Sequence, residues 1–175
     1  YLAAQAFYRL HKYNECIEQI NIYQQQPNVA ESQNKVMSTY LKAYALFNLK
    51  NYIVAESTFR SYITEIANNT TLNTYSDALN RIGDCLFYAR KFQEASEVYT
   101  QVANIKSNGA DYAILQNGYA QGLMHKYDQK IEVLNTLTEQ YPQSDYADDA
   151  MYEIARAQLQ QQQNNEAIVT YRTLI

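Results

Sequence analysis

Tryptophan is absent from this 175-residue chain, while glycine appears four times, proline twice and cysteine twice. Glycine and proline together reach about half of what glycine alone supplies in an average protein. Turn-rich all-β folds and glycine-lined phosphate loops are therefore not expected, and helices become the default. No stretch approaches the roughly 18 consecutive apolar residues of a membrane helix. The start, Tyr1-Leu2-Ala3-Ala4, has neither a basic segment nor the apolar segment of a signal peptide. Lysine and arginine form no block and the formal net charge is -4, which argues against nucleic acid or an anionic membrane surface as the main partner. The length suits one domain with a core able to fold without staples.

What the chain has in excess is tyrosine, 18 residues beside five phenylalanines, together with 18 glutamines and 16 asparagines. An internal repeat organises them. An aromatic, two variable residues and a small residue recur as Tyr13-Asn14-Glu15-Cys16, Tyr52-Ile53-Val54-Ala55 and Phe92-Gln93-Glu94-Ala95. Two degenerate copies follow, Tyr127-Asp128-Gln129-Lys130 and Asn164-Asn165-Glu166-Ala167. The anchors are spaced 39, 40, 35 and 37 residues apart. Seven residues beyond each lies Ile20, Phe59, Tyr99, Leu134 or Tyr171, and ten beyond lies Tyr23, Tyr62, Val102, Leu137 or Leu174, which is helical spacing. Nine residues before each anchor stands Ala4, Ala43, Gly83, Gly118 or Ala155. A small side chain there lets two helices approach closely. Polar pairs such as His11-Lys12, Lys50-Asn51, Arg90-Lys91 and His125-Lys126 join the helices of each pair.

This pattern resembles the tetratricopeptide repeat, a helix-turn-helix unit of about 34 residues. The resemblance spans the chain as about five units, roughly 1–28, 36–67, 74–107, 111–142 and 145–175, and implies an all-α superhelix, a single solenoid. The family's early tryptophan is missing throughout, and the longer periods place extra residues between units. Tyr141-Pro142-Gln143-Ser144-Asp145-Tyr146-Ala147-Asp148-Asp149-Ala150 resembles the joint between repeats of bacterial envelope proteins of the outer-membrane assembly lipoprotein and Tol-Pal coordinator type. Physically, Pro142 ends one helix, Ser144 is placed to cap the next, and Asp145, Asp148 and Asp149 lie at its positive end. The resemblance implies a bacterial periplasmic or envelope setting. Two unpaired cysteines favour a reducing compartment instead, which keeps the cytoplasm as the alternative. Absence of an initial methionine and the apolar end Tyr171-Arg172-Thr173-Leu174-Ile175 suggest a piece of a longer repeat protein, with end-to-end association expected if the apolar end is free.

No catalytic constellation converges, so no enzyme activity, cofactor or metal is expected. His11 and His125 occupy equivalent turns too far apart to share an ion, and read as solvated. The acids Asp145, Asp148, Asp149 and Glu153 have no glycine-bearing loop to fold them around a cation, and read as helix-dipole charges. Cys16 and Cys85, a whole unit apart, read as buried free thiols. Asn68-Asn69-Thr70-Thr71 carries glycosylation sequons and reads as a polar linker; Gln160 to Gln163 reads as a tolerant helix end.

The tyrosines divide. Tyr13, Tyr52, Tyr62, Tyr99, Tyr127 and Tyr171 lie on packing positions. In a stack of such pairs the first helices line the concave surface, and by register that face carries Tyr8, Tyr40, Tyr44, Phe47, Asp84, Phe87, Tyr88, Tyr112, Tyr119, Tyr152 and Arg156, with Gln5, Arg9, Asn48, Asn80 and Leu115 among them. Amphipathic rings of low conformational entropy suit a peptide-reading surface. A non-catalytic scaffold for a protein or peptide segment is the expected function, anchored by Tyr40, Tyr44, Phe47, Tyr119 and Tyr152 and oriented by Arg156 and Asp84. The alternative is a ligand- or glycan-sensing module that regulates a catalytic or DNA-binding domain. Family members that clamp a terminal carboxylate use Lys, Arg and Asn here; this chain does not reproduce that clamp.

Overall fold

The computed structural model describes residues 1–27, 33–67 and 71–174. Among them are ten helices and no strand: α1 (Leu2–Arg9), α2 (Tyr13–Gln24), α3 (Gln33–Asn48), α4 (Tyr52–Glu65), α5 (Asn73–Tyr88), α6 (Phe92–Ile105), α7 (Ala110–Leu123), α8 (Tyr127–Gln140), α9 (Ala147–Gln160) and α10 (Asn164–Arg172). Every repeat anchor, at 13, 52, 92, 127 and 164, is the first residue of an even-numbered helix. The sequons at Asn68 and Asn69, and the terminal Ile175, lie outside the described residues.

The turns within the pairs account for the scarcity of glycine. His11, Lys50, Arg90, His125 and Gln162 all adopt left-handed backbone, with φ between 58° and 62°. Lys12 N–H bonds the Phe7 carbonyl at 2.9 Å, Asn51 N–H that of Leu46 at 3.0 Å, and Gln163 N–H that of Gln158 at 2.9 Å. These are six-to-one closures that satisfy the orphan carbonyls at a helix end. Glycine usually holds the left-handed position; here side-chain-bearing residues do so at all five turns.

The chain divides into two compact units, Tyr1–Ala89 and Arg90–Ile175. The division falls inside the third sequence repeat rather than between repeats. In the first unit, Ala4, Cys16, Ile20 and Ala45 form one cluster and Leu46, Ala55 and Cys85 another. Phe59 and Tyr62 are fully buried and meet Tyr40 with ring centroids 6.1 and 4.7 Å away. In the second unit one core cluster is aliphatic, built from Ile114, Leu115, Leu134, Leu137, Ala150 and Ile154, while Tyr99 of α6 is also fully buried. There the close helix approach expected from small residues is concrete: a Cβ on Gly118 would lie 2.4 Å from Leu134 Cδ2.

Amide side chains stitch neighbouring helices. Gln24 donates to Ser38 Oγ at 2.8 Å, and Thr39, which Gln24 also reaches, donates to Glu65. In the second unit Ser96 donates to Asn117 Oδ1 at 2.7 Å, Asn117 to Thr100 at 3.0 Å and Gln121 to Ser96 at 2.8 Å. Ser96 and Asn117 are buried, so each needs these partners. The Gln and Asn excess thus serves, in part, to join helices.

Cys16 and Cys85 are buried free thiols, as the repeat register implies. Burial pushes Cys16 up to about 11 and Cys85 up to about 12, so both stay un-ionised. Pro142 stands two residues after α8 ends, as expected. Ser144 acts differently from the expected helix cap: its Oγ accepts from Tyr146 N–H at 3.2 Å, before α9 begins, and donates to Asp111 at 2.6 Å. It ties the joint to α7 instead.

Candidate partner-binding face

In the first unit the expected face is built from α1, α3 and α5. Helical spacing puts Tyr40, Tyr44 and Phe47 on one stripe of α3, and Asp77, Arg81 and Asp84 on one stripe of α5. The phenols of Tyr40 and Tyr44 both donate to Asp77 Oδ2. Their rings meet edge to face at 5.1 Å. Asn48 donates to Tyr8 at 3.2 Å and to the Tyr44 carbonyl at 2.8 Å, joining α1 to α3. Further along, the Arg81 guanidinium lies 5.8 Å from the Phe47 ring centre and bonds Asp84 at 2.6 Å. Tyr88 stacks on Tyr52 at 4.6 Å with planes 13° apart, and Phe87 sits beside it.

Tyr8, Tyr40 and Tyr44 are half-buried, and the pKa of each phenol is raised. Burial is the largest cause for all three, and the negative charge of Asp77 raises each of them further. Asp77 is therefore the electrostatic focus of the face. Sequence reasoning missed it. The signal was available: Asp77 lies six residues before Gly83, the register by which Tyr112 was placed six before Gly118.

Three residues placed on the face by register alone are covered. Asp84 is 4% exposed and engaged with Arg81, so it does not present a charge to orient a partner. Asn80 and Leu115 are also buried, Leu115 within the aliphatic core of the second unit. Register assigns a face to a residue but does not say whether a neighbouring side chain closes over it.

In the second unit α7 and α9 carry the remaining candidates. Tyr112 packs against Tyr146 at 5.8 Å. Tyr119 is half-buried and its phenol is raised, first by burial and then by Glu153 and Asp149, against the lowering charge of Arg156. Tyr152 is half-exposed; it packs against Tyr171 at 5.8 Å and the Arg156 guanidinium lies 6.0 Å from its ring centre. Arg156 is exposed, yet it also bonds Glu153 at 2.6 Å. Glu153 is not the solvated helix-dipole charge the sequence suggested. It is buried and paired with Lys130 as well. Lys130, which looked like decay of the repeat's small-residue position, fits because Gly122 faces it: a Cβ there would lie 3.1 Å from Lys130 Cδ.

The packing tyrosines fall into two kinds. Tyr62 and Tyr99 are fully buried, whereas Tyr13, Tyr52, Tyr127 and Tyr171 are half-buried. The exposed turn histidines each pair with an anchor phenol, His11 with Tyr13 at 2.8 Å and His125 with Tyr127 at 2.9 Å. Among the described residues no group of histidine, cysteine or acidic side chains is placed to hold a metal ion, and no helix is long and apolar enough to cross a membrane.

The tetratricopeptide repeat family matches residues 149–175. No curated protein matches the chain. Solved structures do, over nearly its whole length. MamA from Desulfovibrio magneticus RS-1 is 16% identical with a TM-score of 0.76, over 98% of this chain and 88% of that one. YrrB, described as a TPR protein with an unusual peptide-binding site, is 13% identical with a TM-score of 0.73, over 98% and 81%. The apo form of RapI is 11% identical with a TM-score of 0.86, over 97% of this chain and 50% of that one. At such identities the likeness concerns the fold, which is that of a tetratricopeptide-like solenoid.

Proposed function

We propose that this chain is a non-catalytic scaffold that docks an extended or helical protein segment against the face of its first helices. The observation that carries the reading is the α1, α3 and α5 face, where Tyr8, Tyr40, Tyr44 and Phe47 are half-buried rings. Hydrogen bonds from Asn48 and to Asp77 hold the three phenols in place. Docking against these rings costs little side-chain entropy on the protein side, because that side is already ordered. The peptide-binding site described for YrrB, a fold relative, supports the same reading.

A displayed random-peptide library selected on the chain tests it. Selected peptides are expected to lose roughly fivefold or more in affinity on Phe47→Ala or Tyr44→Ala, with the helical circular dichroism retained. Unchanged affinity in both variants overturns the reading, as does a response confined to oligosaccharides.

A bacterial envelope setting is the finer form of this proposal, resting on the Tyr141 to Ala150 joint. The two cysteines no longer weigh against it, because buried thiols held un-ionised resist oxidation. A reporter active only after export, fused to the protein as the cell makes it, tests it; an inactive fusion that accumulates in the cytoplasm overturns it.

A further inference from the structure

The docking face carries an unequal charge, and that inequality names the chemistry of what it takes. Along the α5 stripe stand Asp77, Arg81 and Asp84, two acids and one base. Arg81 and Asp84 bond each other at 2.6 Å, and Asp84 is buried. Asp77 is held by neutral donors, since both Tyr40 and Tyr44 approach it as phenols. Neutral donors fix a carboxylate without cancelling its charge. Both phenols use Oδ2, and Asp77 is only half-buried, so among the described residues Oδ1 is left for a further donor.

Resting on the docking face proposed above, we infer that Asp77 is the receptor for a lysine or arginine side chain of the bound segment. The cation donates to Asp77 Oδ1 and lies beside the rings of Tyr40 and Tyr44, whose π-faces attract positive charge. Three features favour a cation over other occupants. The raised phenol pKa values keep Tyr40 and Tyr44 protonated as donors, so they hold Asp77 without adding charge of their own. The edge-to-face packing of Tyr40 and Tyr44, with Phe59 5.2 Å from Tyr44, fixes both rings before binding. An anionic partner group would be repelled by Asp77, and the base of the stripe, Arg81, is bonded to Asp84 and lies over Phe47 rather than standing ready for an anion.

The test uses the whole chain and two probes, a capped alanine heptapeptide with one central lysine and the same peptide with glutamine there. Nuclear magnetic resonance titration follows the side-chain signals of Tyr40, Tyr44 and Asp77. The lysine peptide is expected to shift these signals in a saturable way and to bind roughly five- to tenfold more tightly than the glutamine peptide. Added salt weakens the lysine peptide alone. Asp77→Asn, whose amide oxygen still accepts from both phenols, should bring the two peptides to the same affinity. Equal affinities on the unaltered chain, with shifts on α3 and α5, overturn the cation while leaving the docking face standing. Absence of shifts on α1, α3 and α5 with either peptide overturns both.

Discussion

Asp77 in the first unit and Glu153 in the second both lie on a first helix and both are reached from the preceding repeat, yet they are held by opposite means. Two neutral phenols hold Asp77, whereas Lys130 and Arg156 hold Glu153. Burial explains the difference. Glu153 is 6% exposed and a carboxylate so far from water needs compensating charge. Asp77 keeps access to water, so neutral donors suffice. The consequence is an acid held by neutral donors in one unit and an acid met by two cations in the other. A shared repeat fold thus holds its acids by different means without altering its helix pattern.

The largest test of that comparison is Glu153→Ala. It strands Lys130 in a buried site, and urea unfolding should report a loss of about 3–5 kcal/mol. Lys130→Met should cost less, roughly 1 kcal/mol, because Arg156 still faces Glu153. If the two variants cost the same, the pair is not the asymmetric device described.

Gly118→Ala comes next. Its new methyl group meets Leu134 Cδ2 at 2.4 Å. Overpacking outweighs the gain of about 1 kcal/mol in helix propensity, for a net loss of roughly 1–2 kcal/mol by the same measurement. Ala43 occupies the corresponding place in α3 and already carries a Cβ, so α7, unlike α3, is predicted to depend on glycine there.

The phenols make stability depend on pH. Tyr40 and Tyr44 are raised above the ordinary value of 10.0, by burial first, while the unfolded chain ionises at that value. Their contribution is therefore full below pH 10 and declines as pH rises beyond it, by at most about 1.4 kcal/mol per pH unit for each phenol. Urea midpoints taken on either side of that value should fall on the alkaline side, and the Tyr40→Phe, Tyr44→Phe double variant should flatten the fall. An unchanged slope would remove the phenols from the account of the first unit.

The smallest effect concerns the turns. Lys50→Gly relieves a left-handed residue and should stabilise by about 0.5–1 kcal/mol. His125→Gly relieves the same strain but loses the bond to Tyr127, so its gain should be close to zero. Thermal midpoints of the two variants give the comparison directly.

Much of the fold was legible because its signals are local and periodic. The anchors mark the first residues of the second helices, and the small residues nine positions earlier are buried, because helix spacing converts directly into facing positions. The turns were legible as polar pairs but not as left-handed backbone, since His, Lys, Arg and Gln are weak signals for positive φ. The candidate face was read only in part. Asp84, Asn80 and Leu115 share the register of exposed neighbours, and only three-dimensional packing distinguishes them. Lys130 and Glu153 were misread for a related reason: each looks out of place alone, and their pairing across 23 residues leaves no local trace.

The Gly122, Lys130 and Glu153 arrangement also constrains how such a repeat can change over time. An alanine at position 130 would restore the standard pattern but deprive Glu153 of one of its cations. A neutral residue at 153 would strand the lysine, and any side chain at 122 would press on Lys130, whose Nζ would lie 3.2 Å from the new Cβ. Each single step back toward the ordinary repeat passes through a less stable protein. The three positions are entrenched together, so descendants of this chain are expected to keep all three or to replace them as a set.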